Sequence, residues 1–334
     1  EVGRMKINQY TRYLTVLLAT VQAYGLAVGL EPMQGQAGPA VIDPGLFFRI
    51  STIITIVGGT VFLMWLGEQI TSRGVGNGIS LIIFAGIVAE LPRAVASTLE
   101  LSYQGAISGG ALLFLTVMVL GVIALIVFVE RAQRRVIVQY PKRQVGNQMT
   151  QAQTNHIPLK LNTAGVIPPI FASSLLLLPL TVVGFIGAGG SDFWSDITRY
   201  LQHGQPIYMA LYGALIAFFC FFYTAIVFNP EENADTLRKY GGFVPGIRPG
   251  KHTADYLDFV LTRISVIGAI YLVFICLLPE FLIAKYQMPF YFGGTSLLIV
   301  VSVTMDTVAQ IHSHLIAHQY EGLVKKTKLR GRRK

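Results

Sequence analysis

Charge is scarce in this chain. Asp, Glu, Lys and Arg make up 13% of its 334 residues, where soluble domains carry about 25%. Apolar residues make up 53% and fall in uninterrupted blocks of about 20, the length that spans a hydrocarbon core. An ordinary soluble domain is excluded. Cysteine is nearly absent. Cys220 and Cys276 both lie inside apolar runs, which excludes a disulfide framework and reads them as small packing residues. Catalytic patterns are missing too: there is no Ser-His-Asp arrangement, no His-Glu-x-x-His and no metal-spaced cysteine set. Two glycine-rich stretches imitate phosphate cradles. Ser72–Gly78 is not followed by Gly-Lys-Ser/Thr, and Gly246–Thr253 is one residue short and interrupted by Pro249. The chain therefore reads as a non-enzyme without a cofactor.

What is present is a series of eight apolar runs. They cover Thr11–Leu30, Leu46–Ile70, Gly78–Thr98, Gly110–Val129, Ala164–Ile186, Ile207–Phe228, Phe259–Ile283 and Gly294–Ile316. An even number puts both ends on one side. Alternate loops then divide the 26 Lys and Arg into 22 on the side of the termini and 4 on the other, Arg49, Arg93, Arg199 and Lys285. The positive-inside bias makes the rich side cytosolic.

Within the runs the polar residues are few. Gln22 sits near the middle of the first and reads as a helix–helix hydrogen bond. Ile83 and Ile87 in the third share a face by their spacing of four. The fifth run carries Pro168-Pro169, Ser173-Ser174 and Pro179, and reads as a broken segment of the kind tolerated beside a pathway. Asp306 lies toward the cytosolic end of the eighth run and reads as structural. His314 and His318 are four apart without a third ligand in view. The external stretch Asp192–Leu201, with Trp194 and Tyr200, reads as amphipathic. The tail from Lys325 to Lys334 reads as a disordered basic run suited to anionic lipid or RNA.

Two cytosolic loops are long. The first, 130–163, holds Arg131, Arg134, Arg135, Lys142, Arg143 and Lys160 against a single acid, Glu130. Its Arg134–Tyr140 segment reads as a strand and Gly146–Ile157 as the returning arm. The second, 229–258, contains Gly241–Lys251, where four glycines and two prolines forbid an ordinary helix. A stiff turn presenting Arg248 and Lys251 is expected. Such loops on a membrane protein point to a soluble partner.

Two function classes survive: a passive conduit driven by a partner on the cytosolic side, and a secondary transporter of a small solute. Ion-coupled transporters bury carboxylates or histidines at the bilayer midplane. These run centres are almost free of ionisable groups, which favours the conduit.

Gln-Tyr-Thr-Arg-Tyr at 9–13, Met-Trp-Leu-Gly-Glu-Gln-Ile-Thr at 64–71, Gly-Asn-Gly-Ile-Ser at 76–80 and Phe-Val-Glu-Arg-Ala-Gln-Arg-Arg at 128–135 resemble the SecY family, in family order. So do Ala-Gly-Val-Ile-Pro at 164–168, Phe-Asn-Pro-Glu at 228–231, Val-Pro-Gly-Ile-Arg-Pro-Gly at 244–250 and Pro-Phe-Tyr-Phe-Gly-Gly-Thr-Ser at 289–296. The resemblance covers essentially the whole chain and is closer to the bacterial than the archaeal form. It implies an all-α multi-pass membrane protein of the bacterial cytoplasmic (inner) membrane, built as a ten-helix inverted-repeat channel. Eight of the ten helices are seen, from the third onward. The chain therefore reads as a fragment lacking the first two helices, the plug and one side of the lateral gate. Residues 1–109 would be the remainder of the N-terminal half, 110–316 the C-terminal half, and 317–334 a cytosolic tail.

The same resemblance implies roles. Ile83, Ile87, Ile170 and Ile299 would belong to a pore ring of branched apolar side chains. Gln22, Ser173 and Ser174 would lie along the lateral gate through which a signal sequence reaches lipid. Arg248, Lys251, Arg134, Arg135 and Lys142 would meet the SecA ATPase or the ribosome. The implied partners are SecE and SecG, SecA, the ribosome, signal-sequence-bearing polypeptides and anionic lipids.

Overall fold

The computed structural model describes residues 2–31, 34–35, 38–39, 41–105, 108–141, 144–145, 148–149, 154–186, 204–286 and 293–331. Side chains at 2–5, 7–8, 34–35, 38, 144–145, 148–149, 178–186, 283–286 and 317–331 fall outside that description. Asp192–Leu201, Pro289–Phe292 and Lys142 also lie outside it. Among the described residues nine helices form: α1 Val2–Leu30, α2 Leu46–Arg73, α3 Gly78–Tyr103, α4 Gly109–Arg131, α5 Ile167–Ile186, α6 Pro206–Val227, α7 Pro230–Lys239, α8 Lys251–Tyr286 and α9 Gly294–Gly331. Seven of them, all but α5 and α7, are long and apolar enough to cross a membrane among the described residues. The expected fifth run is α5, a helix whose described apolar part is Ile167–Leu177.

Four expectations are corrected. First, α5 is not broken at its paired prolines. Pro168 and Pro169 fall in its first turn, where a missing N–H has no intrahelical acceptor to lose. Second, α8 begins at Lys251, eight residues before the apolar run at Phe259. Ala254, Leu257, Val260, Leu261 and Ile264 are buried along it at three- and four-residue spacing. The polar start is thus an amphipathic helix, which a hydropathy count does not see. Third, α9 runs on through the basic tail to Gly331 instead of ending at Ile316. Residues 317–330 contain no proline and several Lys, Arg and Leu, which are good helix formers. Fourth, the returning arm of the first loop is Thr154–Lys160, later than expected. It pairs antiparallel with Gln133–Gln139, placing Val136 opposite Ile157 and Arg134 opposite Leu159.

Contacts divide the chain into two units: residues 1–93, 174–202 and 303–334, and residues 94–173 and 203–302. In the first, α1 and α2 pack as an antiparallel pair. The buried stripe of α1 is Ala19, Ala23 and Ala27, small side chains that allow close helix approach. Ion pairs clamp both ends. Arg12 Nη2 donates to Glu68 Oε2 at 2.8 Å. At the other end Arg49 forks onto Glu31, Nε to Oε1 at 2.9 Å and Nη2 to Oε2 at 2.7 Å.

In the second unit α6 lies on α8. Tyr208, Tyr212, Ile216, Cys220 and Thr224 recur every four residues on its buried face. Gly213 admits Leu277 and Val273, whose methyl groups a Cβ at 213 would meet at 3.3 Å. Cys220 and Cys276 are both buried and unbridged, as packing residues should be.

The two long loops share one small core. Val136, Val138 and Leu159 of the hairpin cluster with Val244 of the second loop and with Leu257, Val260 and Ile264 of α8. Gln139 and Phe243 exchange backbone hydrogen bonds, N–H to carbonyl, at 2.9 and 3.0 Å. The hairpin therefore gains a third, one-residue edge from the second loop. Helix α7 stands beside it with complete end chemistry. Asn229 Oδ1 accepts from the amides of Glu231 and Glu232, Pro230 opens the helix, Arg238 and Lys239 close it, and Gly241 leaves at φ +75°.

Candidate functional site

Arg248 sits in the turn from Val244 to Gly250. The chain needs positive φ at Gly246 (+84°) and Gly250 (+107°) to make it. Ile247 N–H donates to the Val244 carbonyl at 3.1 Å. Thr253, 2% exposed, reaches back from the first turn of α8 and donates its hydroxyl to the Arg248 carbonyl at 2.9 Å. The backbone of Arg248 is therefore tied down while its guanidinium is exposed. Lys251 is exposed too, but with Arg238 it lines a groove of about 590 Å³ that also holds Glu231, Asp235, Asp255 and Asp258. Local carboxylates offset its charge, which leaves Arg248 the better placed for an outside anion.

Arg134 and Arg135 are both exposed on the first hairpin strand. Adjacent strand residues point to opposite faces, so the two do not make one patch by themselves. The shared core carries that strand and the Arg248 turn on one body. Nothing in the two loops taken singly shows that they share a core. The available signal was alternation in the hairpin, with Val136 and Val138 on one face, and the apolar pair Phe243-Val244 in a largely polar second loop.

The four ring isoleucines fall in both units. Ile83 and Ile87 are half-buried, one turn apart on α3. Ile79 continues their face and, with Ile82 and Ile83, lines a cavity of about 540 Å³ against α1 and α2, with Arg12 and Glu68 in its wall. Ile170 is half-buried in the first turns of α5. Ile299 is 6% exposed on α9 and follows the fully buried Leu298. Gln22 is half-buried on α1, and Ser174 is exposed. Ser173 donates its hydroxyl to the Ile170 carbonyl of its own helix at 2.9 Å. Asp306 and His314 are exposed; His318 lies outside the described side chains.

One polar contact was missed from sequence. Asn162, 3% exposed, donates from Nδ2 to Glu130 Oε1 at 2.7 Å and to the Gly165 carbonyl at 3.1 Å. It ties the end of α4 to the entry of α5. The visible hint was that Glu130 is the only acid of an otherwise basic loop. In the first unit, the Arg49 guanidinium holds the Glu31 carboxyl below the ordinary carboxylate range, chiefly through their hydrogen bonds.

The family model described as SecY matches residues 1–308. The protein translocase subunit SecY of Rickettsia conorii is 57% identical over 330 residues, covering 99% of this chain and 76% of that protein. The same-named subunit of Escherichia coli K12 is 55% identical over 332 residues, covering 99% and 75%. Among solved structures, a SecY studied for its plug domain aligns with TM-score 0.69 at 19% identity, covering 94% of this chain and 75% of that one. Sec61 from a canine ribosome–channel complex aligns with TM-score 0.64 at 18% identity, covering 94% and 74%.

Proposed function

The chain belongs to the SecY family, and from that premise we propose that it forms the conduit through which unfolded secretory proteins cross the bacterial cytoplasmic membrane and from which membrane segments leave sideways into lipid. It is a multi-pass channel subunit of a protein translocase and not an enzyme. The observation that carries this reading is the alignment with named translocase subunits, which runs through 99% of the chain. The transporter reading has no comparable support.

In this reading both termini face the cytosol, and residues 1–109 and 110–316 belong to the two halves of the channel. Ile83, Ile87, Ile170 and Ile299 form the constriction. Branched apolar side chains exclude water and ions from an empty pore, yet yield around an extended chain. Gln22, Ser173 and Ser174 border the lateral gate. SecE and SecG complete the assembly, and anionic lipid surrounds it.

The cytosolic body receives SecA or the translating ribosome. Arg248 presents a planar fork from a fixed turn, suited to a carboxylate or phosphate. Arg134, Arg135, Lys142 and Lys251 widen the contact. The test is Arg248→Glu in the assembled translocase. Membrane insertion should be unchanged and SecA-driven translocation into proteoliposomes should be lost. Unimpaired translocation would overturn the role.

A further inference from the structure

The two helices that carry Ile83 and Ile299 begin alike. Helix α3 opens Gly78-Ile79-Ser80-Leu81-Ile82-Ile83, and α9 opens Gly294-Thr295-Ser296-Leu297-Leu298-Ile299. Glycine, serine, leucine and isoleucine coincide in register. In each helix the isoleucine stands five residues after the glycine, about 1.4 turns and ~7.5 Å along the axis.

Each glycine also meets a carbonyl of the preceding helix. A Cβ at 78 would collide with the Gly67 carbonyl oxygen of α2 and come within 2.8 Å of its carbon. A Cβ at 294 would collide with the Ile275 carbonyl oxygen of α8, at 2.9 Å from its carbon and 3.0 Å from Cys276 Cα. The obstacles are backbone atoms, so no side-chain rotation relieves them.

The two carbonyls share a second property. Four residues after each stands a residue that disturbs the helix ladder. Thr71 Oγ1 donates to the Gly67 carbonyl at 2.8 Å and accepts from the Gly78 N–H at 2.8 Å. Pro279, inside α8, has no N–H to offer Ile275. Back-bonding hydroxyls and internal prolines both bend helices at such carbonyls. Gly58, Gly59 and Gly86 of these helices are different, since a Cβ there meets nothing within 4 Å; one at Gly67 comes nearest to the side chain of Ile79, at 3.0 Å, and one at Gly268 of α8 meets a loop carbonyl, that of Leu161, at 2.7 Å.

We propose that Gly78 and Gly294 are positioning residues, two matched backbone notches that set the height and rotation of α3 and α9 and thereby the placement of Ile83 and Ile299. The proposal rests on the assignment of those isoleucines to the pore constriction. A methyl group at either glycine lifts the helix from its seat. The displacement carries to the isoleucine, because fewer than two rigid turns separate them.

The test uses the assembled translocase in proteoliposomes, with ion leak and export of a signal-defective client read per inserted complex. Gly78→Ala and Gly294→Ala should each raise both by roughly tenfold, as overpacking shifts the sealed population. Gly86→Ala, on the same helix as Ile83, should behave as wild type. Ile299→Asn serves as the reference for a broken ring. If Ile299→Asn leaks and the two notch variants stay sealed, the notch is overturned and the ring stands. If Ile299→Asn also stays sealed, the ring assignment fails and the notch with it. Should an alanine variant not reach the membrane, Thr71→Val and Thr71→Ser decide. Valine puts a methyl group, which can neither donate nor accept, where the hydroxyl bridges Gly67 and Gly78 at 2.8 Å, and should leak; serine keeps the bridge and should not. A valine variant as tight as wild type overturns the proposal.

Discussion

Leu257 is fully buried where the two cytosolic loops meet the start of α8, in one cluster with Val136, Val138, Leu159, Val244, Val260 and Ile264. Leu257→Ala removes the branched end of that side chain from the middle of the cluster. Such truncations cost about 2–5 kcal/mol, depending on how far the site collapses. Here a two-stranded hairpin on one side and a helix on the other resist collapse, so about 3 kcal/mol is expected. At about 1.4 kcal/mol per factor of ten, that is roughly a 150-fold shift toward a hairpin detached from the second loop. The effect should stay local, because Leu257 itself precedes the apolar run that begins at Phe259 and only Val260 and Ile264, in the first turns of that run, belong to the cluster. Hydrogen exchange reads it directly. The amides of Gln139 and Phe243, which bond each other's carbonyls, should lose about two orders of magnitude of protection, while the amide of Leu272, deep in α8, keeps its own. Equal protection at Gln139 and Phe243 in both proteins would refute the account of a shared core.

Thr253→Val keeps the shape of the side chain but removes the hydroxyl that holds the Arg248 carbonyl. Loss of about 1 kcal/mol should loosen the turn and weaken SecA binding several-fold, with α8 intact by circular dichroism; unchanged affinity would count against a preorganised turn. The Glu31–Arg49 pair should make stability acid-sensitive. The folded carboxyl of Glu31 is held low, so the pair stabilises fully above the ordinary carboxylate range and its contribution drains away as pH falls through the depressed folded value. Thermal unfolding of purified protein should show that acid loss in wild type and a smaller one in Glu31→Gln; identical acid slopes would remove the pair from the account.

The membrane helices were legible because burial in lipid demands long apolar runs, and those runs were long and clean. The positive-inside count rested on charges in the loops and needed no contacts. What hydropathy hid was helix outside the bilayer. The Lys251–Asp258 segment is polar by composition and helical by its stripe at Ala254 and Leu257, and the basic tail is helical in a stretch without proline. Paired prolines misled for α5 because their cost depends on position, and Pro168-Pro169 sit where the first turn tolerates them. Individual site residues could be named from motifs, but not their partners. Nothing in the sequence joins Gln139 to Phe243, Arg12 to Glu68, or Asn162 to Glu130, since each pair is set by tertiary packing across 32 to 104 residues.

In a conduit built this way, a polypeptide passes the isoleucines of α3, α5 and α9. That passage is tested by disulfide crosslinking of an arrested secretory chain to single cysteines placed at Ile83, Ile170 and Ile299, in the assembled translocase with Cys220 and Cys276 replaced. Crosslinks at all three positions, dependent on SecA and ATP, are the expected result. Absence of crosslinks at all three, in protein that is folded and inserted, would contradict the conduit and turn attention to Gln22 and Asp306 as parts of a solute path.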